Sequence, residues 1–256
     1  MSCHSIIRRG ENFFIRHAST NYKIEYILPI GIDVDELKNI VEKFSVENYP
    51  NYDNNHLSLR DYILDYQSIF TTIEKCKKPV IAAIHGACIG AAMALAAVVD
   101  VRYCTPQTKF QIKEIQLGFP ADLGVLQRLP HLMGHDSFLR EIALTGRVFS
   151  GIEAVRSGFC QFIPSFENMT GKDDKTPTIE ETLHKATVEH CLALAKQIAE
   201  MNPLAVQGTK LNLNFVRPKM IDSGLNLAST FNMIALKNPL LADTVKSALS
   251  LLDKQK

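Results

Sequence analysis

Two carboxylates and one run of small residues are the features of this sequence that could carry chemistry. Glu114 and Asp122 stand eight positions apart, and Gly90-Ala91-Ala92 precedes them. A small-residue turn that opens a helix leaves backbone N–H groups without intrahelical acceptors, at the positive end of the helix dipole. An anionic oxygen placed there is stabilised, and carboxylates brought close to it can move protons. Each feature also has a purely structural reading. Small residues at a helix start allow close helix–sheet packing. Strand alternation puts Ile112 and Glu114 on one face, so Glu114 is either an edge-strand surface charge or a buried acid. Asp122 reads equally well as the N-cap of a helix starting near Leu123. His85, next to Gly86, reads as a turn residue. The histidines do not imply a metal site, and no cofactor is expected. There is no GxSxG elbow, no phosphate loop ending in GK[ST], and no GxGxxG after a strand.

The elements that must position these residues follow from periodicity and breakers. Lys23 to Pro29 is a short strand candidate, and Val34 to Phe44 has helical spacing after Gly31-Ile32-Asp33. Glu47 to Asn55 reads as a loop. His56 to Cys76 is amphipathic, with Leu59, Ile63, Tyr66, Ile69, Phe70 and Ile73 on the apolar stripe. Pro79 ends it and the apolar run Val80–Ile84 forms a buried strand. After the turn at His85-Gly86 the chain enters a helix through Gly90. Short strands are expected around Val101–Cys104, Phe110–Ile112 and Gln161–Ile163. Val125 to Met133 is a helix interrupted by Pro130. Asp136 is the expected N-cap of Ser137 to Leu144, and Ser150 that of Gly151 to Ser157, with Gly158 following. A polar loop spans Glu167 to Pro177. Long helices complete the chain at Ile179–Met201, Leu204–Phe215, Asp222–Leu236 and Leu240–Leu252. Strands alternating with helices, then helices alone, predict an α/β core with an all-α C-terminal extension.

The totals exclude several partners. The 256 residues carry a net charge of +1 and no long run of one sign, so neither nucleic acid nor an anionic membrane surface is the default partner. No apolar run is long enough to span a bilayer. Six cysteines without CxxC spacing read as reduced core thiols. Residues 1–23 hold Arg8, Arg9, Arg16 and Lys23 against Glu11 alone, which fits a mitochondrial targeting segment or a basic tail. The C-terminal Lys254-Gln255-Lys256 is not the peroxisomal tripeptide.

The motif from Lys78 to Cys104, KPVIAAIHGACIGAAMALAAVVDVRYC, resembles the core signature of the crotonase (enoyl-CoA hydratase/isomerase) superfamily. FQIKEIQLGFPADLGVLQRLP is most similar to its delta(3,5)-delta(2,4)-dienoyl-CoA isomerase branch, and the resemblance covers about Gly31 to Leu252. It implies a spiral of ββα units over residues 24–200, followed by a helical oligomerisation region over 201–256 that packs homotrimers or homohexamers. It implies an acyl-CoA thioester substrate and a mitochondrial or peroxisomal place in fatty acid β-oxidation. It also implies an oxyanion site between the backbone N–H groups of Ile32, in Gly31-Ile32-Asp33, and Ala91, after Gly90. On a 3,5-dienoyl thioester, Asp122 would take the C2 proton and Glu114 would deliver one at C6.

The sequence departs from the family pattern in three places. Ala94 stands where the family carries an acid, so hydration is not expected. The oxyanion turn has Ala91-Ala92 in place of two glycines. Residues 1–29 do not resemble the family's first strand–helix portion, so the N-terminal unit reads as truncated. Two alternatives accompany the dienoyl-CoA isomerase reading. One is a delta(3)-delta(2)-enoyl-CoA isomerase, which needs Glu114 alone. The other is a non-catalytic paralogue that binds acyl-CoA.

Overall fold

The computed structural model describes residues 25–27, 52–164, 178–215 and 219–235. Strand β1 (Glu25–Ile27) lies parallel to β2 (Val80–Ile84), which lies parallel to β4 (Val101–Cys104), in the order β1-β2-β4. A second sheet has the order β3-β5-β6: β3 (Ala87–Ile89) and β5 (Lys109–Gln111) are parallel, and β6 (Phe149–Ser150) pairs with β5 antiparallel. The chain therefore sends the first strand of each repeat into one sheet and the second into the other. Helix α2 (Ala91–Val98) completes the β2-β3 repeat. This is the expected spiral of ββα units. Strand β2 has no polar side chain and is buried along its length, as a parallel strand covered on both faces must be.

Helix α1 (Tyr52–Glu74) starts four residues before the expected His56. Its buried face runs through Leu59, Ile63, Gln67 and Phe70, while Ile69 is exposed. The true stripe therefore includes a polar residue, which a search for apolar spacing passes over. Helix α3 (Val125–Arg128) is one turn long and continues as a 3₁₀ turn, Leu129–His131, because Pro130 supplies no N–H donor. Helix α4 (Asp136–Thr145) is entered from His135, not capped by Asp136; the Asp136 carboxylate accepts from Arg140 one turn on, at 2.7 Å. Ser150 does cap α5 (Gly151–Arg156), in a capping box with Glu153, and Gly158 follows at φ +86°. Gln161–Ile163 forms a single bridge, Tyr103 to Gln161, and no strand. Strands β3 and β6 were not foreseen: three and two residues are too short to show a period.

The core lies between the sheets and the helices. Phe110 stacks on Phe149, with centroids 5.3 Å apart, and meets Phe159 edge-on at 5.8 Å. Each buried ring of this kind contributes about 1.5–3 kcal/mol through area alone. Four cysteines, Cys88, Cys104, Cys160 and Cys191, are buried free thiols, and Cys76 is half-buried. Helices α6 (Thr178–Ala199), α7 (Pro203–Phe215) and α8 (Lys219–Ala235) cover the core from the C-terminal side. The Lys210 ammonium of α7 donates to Asp100 at 2.7 Å and to the Lys78 carbonyl at 2.9 Å. Asp100 also accepts the Val80 N–H at 2.7 Å, so this ion pair anchors α7 to the start of β2. Helix α8 packs on α1 and α3, and close approach is possible because Gly224 has no side chain. A Cβ there would meet Gln127 Cγ at 2.7 Å. Among the described residues, no helix is long and apolar enough to cross a membrane. The expected tail 1–23, the helix Val34–Phe44, the loop Glu167–Pro177, the helix Leu240–Leu252 and Cys3 lie outside the described residues.

Candidate active site

The turn between β3 and α2 is built around Gly90, whose φ of +60° with ψ of −121° is accessible to glycine and strained for other residues. Its own N–H donates to the Gln111 carbonyl at 3.0 Å, which pins the turn against the end of β5. Ala91 and Ala92 then occupy the first turn of α2, where N–H groups have no intrahelical acceptor. Both alanines are helical, so a β-carbon is accommodated where the family pattern has glycine. Ala92 is buried and Ala91 is half-buried.

Three residues beyond Gln111 the chain reaches Glu114. It does not continue β5 on an alternating face, as expected. It opens a 3₁₀ helix, Glu114–Leu117, that ends at Gly118 with φ +93°. Gly118 and Phe119 donate backbone N–H groups to the Glu114 carbonyl, and the segment that follows carries Asp122 back towards Glu114. Glu114 is only 5% exposed, and its Oε2 is buried without a hydrogen-bond partner among the described residues. Burial raises its carboxyl to about 7. The charge of Asp122 adds to that rise, and hydrogen bonds from the Glu114 and Lys113 backbone oppose it.

Asp122 is 8% exposed and does not cap a helix. The residue that leads into α3 is Gly124, in the left-handed region and without a side-chain cap. The Asp122 carboxylate instead accepts from Asn232 Nδ2 of α8 at 2.8 Å. Burial raises its carboxyl to about 6, against the lowering effect of the Asn232 hydrogen bond. Its backbone carbonyl accepts from Gln67 Nε2 of α1 at 2.7 Å, and Gln67 also donates to the Leu225 carbonyl of α8 at 3.1 Å. Behind this loop, Arg128 is buried and paired with Glu74 of α1 at 2.8 Å. Gln67 and Asn232 were missed by sequence reasoning. Gln67 was legible as a polar residue at the i+4 position of a buried stripe; Asn232 lies in an apolar helical run and could have been flagged on the same ground.

The core beside these segments is apolar. Ala92, Ala94, Leu95, Ile112, Ala121 and Val125 belong to one buried cluster, with Ala91 packed against it. Ala94 is 1% exposed and donates its N–H to the Gly90 carbonyl at 3.3 Å. His85 lies after β2 with its ring 3.5 Å from that of His184 of α6, and burial together with His184 lowers its pKa. Gly31, Ile32 and Asp33 lie outside the described residues. The site thus holds two buried carboxyl groups, both raised towards neutral pH, and the same segment of chain contains a helix start whose first N–H groups have no intrahelical acceptor.

Residues 52–202 match the family model described as enoyl-CoA hydratase/isomerase. Over 197 residues the chain is 40% identical to a protein of Mus musculus named delta(3,5)-delta(2,4)-dienoyl-CoA isomerase, mitochondrial. The match covers 77% of this chain and 54% of that protein, so the chain spans about half the length of that relative. Over 220 residues it is 37% identical to the peroxisomal delta(3,5)-delta(2,4)-dienoyl-CoA isomerase of Arabidopsis thaliana, covering 86% of this chain and 70% of that protein. Its fold is similar to the crystal structure of an enoyl-CoA hydratase/isomerase from Mycobacterium paratuberculosis. That similarity has a TM-score of 0.66 at 18% identity and covers 92% of this chain and 98% of the other.

Proposed function

Since the chain belongs to the enoyl-CoA hydratase/isomerase family, we propose that it isomerises 3,5-dienoyl-CoA thioesters to their 2,4-dienoyl isomers. The observation that carries this reading is the pair of buried carboxyls, Glu114 and Asp122, raised to about 7 and about 6. A 1,5-shift of a proton along a conjugated chain needs two groups, one at each end. Asp122, the more acidic, abstracts the C2 proton. The charge of the resulting dienolate rests on the thioester oxygen, which the Ala91 N–H stabilises together with that of Ile32; one such donor contributes about 3–4 kcal/mol to a transition state. Glu114, the less acidic, returns a proton at C6. Apolar walls keep water out and keep both groups near neutral pH. The relatives named above support this reading, and their names support a mitochondrial or peroxisomal location.

The proposal extends to organisation. Residues 24–200 form the catalytic spiral and 201–256 the helical region through which chains assemble as trimers or hexamers. Leu227, Phe231 and Ile234 present an exposed apolar stripe on α8 that suits such contacts.

One observation favours a second reading. Ala94 brings no acid to the site, and a delta(3)-delta(2)-enoyl-CoA isomerase would need only Glu114. Supplying the protein with 3,5-octadienoyl-CoA and with 3-octenoyl-CoA separates the two. Formation of a conjugated 2,4-diene from the first supports the dienoyl reading. Turnover of the second alone favours the monoenoyl reading, and binding of neither would defeat both.

A further inference from the structure

Asn232 belongs to α8, 110 residues from Asp122 in sequence, and its side chain is fully buried. Its Nδ2 lies 2.9 Å from the Pro120 carbonyl and 2.8 Å from Asp122 Oδ2. The Pro120 carbonyl can only accept, which fixes the amide with its nitrogen towards both partners. Both amide hydrogens are thus used, one on the loop backbone and one on the carboxylate. Among the described residues, Glu114 has no matching side-chain donor, and its Oε2 is buried without a partner. The two acids therefore sit in unequal surroundings. A neutral amide donates more strongly to an ionised carboxylate than to a protonated one, so the Asn232 contact favours ionised Asp122.

We propose that Asn232 is a positioning residue that assigns the proton-abstracting role to Asp122, by holding it as the ionised member of the pair and leaving Glu114 as the protonated one. This rests on the isomerase reading above for its role, though not for the contact itself. The charged groups on the elements packed around Asp122 fit the assignment. Glu114 faces it from the 3₁₀ helix. Arg128 of α3 is engaged with Glu74 of α1 and with the Gly124 carbonyl. Asp222 of α8 is exposed. None of these supplies the discriminating hydrogen bond, and Gln67 holds only the Asp122 backbone. The helix that the sequence marks for assembly thereby also reaches into the proton-transfer pair.

The test uses the full chain with Asn232→Leu, close in shape and without a donor, and Asn232→Val, smaller and also without a donor. Carboxyl-carbon NMR titration of Asp122 and Glu114 is compared with the pH profile of kcat/KM on 3,5-octadienoyl-CoA. In either variant the Asp122 midpoint is expected to rise by about one pH unit. The acidic limb of the profile should move with it, with turnover at pH 6 down about fivefold and KM little changed. If Asn232→Leu does not fold, Asn232→Val carries the same expectation. An unmoved Asp122 midpoint overturns the proposal, even where activity falls, because a uniform loss at all pH values marks a structural role. Should the unaltered protein fail to convert the dienoyl thioester, the titration still decides the proposal, and only the isomerase reading falls.

Discussion

Burial raises the carboxyl pKa of Glu114, and the charge of Asp122, eight residues after it and also buried, adds to the rise. Their values of about 6 and about 7 bracket a narrow window in which Asp122 is ionised and Glu114 still holds its proton. The kcat/KM profile for a 3,5-dienoyl thioester is therefore expected to be bell-shaped, with its maximum between about pH 6 and about pH 7. A plateau extending to pH 9 would show that no protonated carboxyl is required.

The same shifts act on stability. Both carboxyls have folded pKa values above their ordinary ones, so between about pH 4 and about pH 7 the folded chain binds more protons than the unfolded chain. Stability from these groups is complete below pH 4 and is lost as pH rises through 6 and 7. The loss is on the order of 3 kcal/mol per group as an upper bound. Unfolding by urea at pH 5 and pH 8 should show this decline in the unaltered protein. The pair Glu114→Gln with Asp122→Asn should flatten it.

Gly90 is the backbone device on which the oxyanion turn depends. Gly90→Ala forces a β-carbon into φ +60°, ψ −121°, and should cost about 1–3 kcal/mol of stability. It also displaces the Ala91 N–H, so kcat should fall by at least about tenfold while thioester binding is largely kept. Calorimetry and steady-state kinetics read the two effects separately.

Ala94 should make the protein a poor hydratase. With no acid there to hold water, crotonyl-CoA should stay unhydrated in an assay where dienoyl-CoA is converted. Ala94→Asp places a carboxyl in a site that is 1% exposed and already holds two acids. It should lower the melting temperature and raise the carboxyl pKa values of both neighbours. A tenfold gain in isomerisation from Ala94→Asp would show instead that the two-acid site is incomplete.

The parts of this fold with clear periods were legible in the sequence. The buried strand Val80–Ile84, the helix after Gly90 and the Ser150 cap announce themselves through apolar runs, small residues and a capping box. Strands of two or three residues, such as β3 and β6, carry no period and emerge only when the sheets assemble. For the site, residue types near Glu114 and Asp122 left surface and buried readings open, and resemblance to a family tipped the choice. Burial decided what composition could not: Asp122 is turned from a helix cap into an inward carboxylate by a donor 110 residues away. Such a contact between a loop and a C-terminal helix has no local signature. Gln67, by contrast, was within reach, since Leu59, Ile63 and Phe70 place it squarely on the buried face of α1.

Separating the two proton transfers tests the two-carboxylate chemistry most directly. In deuterated buffer, 3,5-octadienoyl-CoA is followed by NMR for exchange at C2 and by absorbance for the conjugated product. With Glu114→Gln, C2 exchange through Asp122 is expected to continue while product formation falls by about 10²–10⁴. With Asp122→Asn, both are expected to stop. Product formation by Glu114→Gln at the unaltered rate, or C2 exchange by Asp122→Asn at the unaltered rate, would contradict the assignment of the two acids.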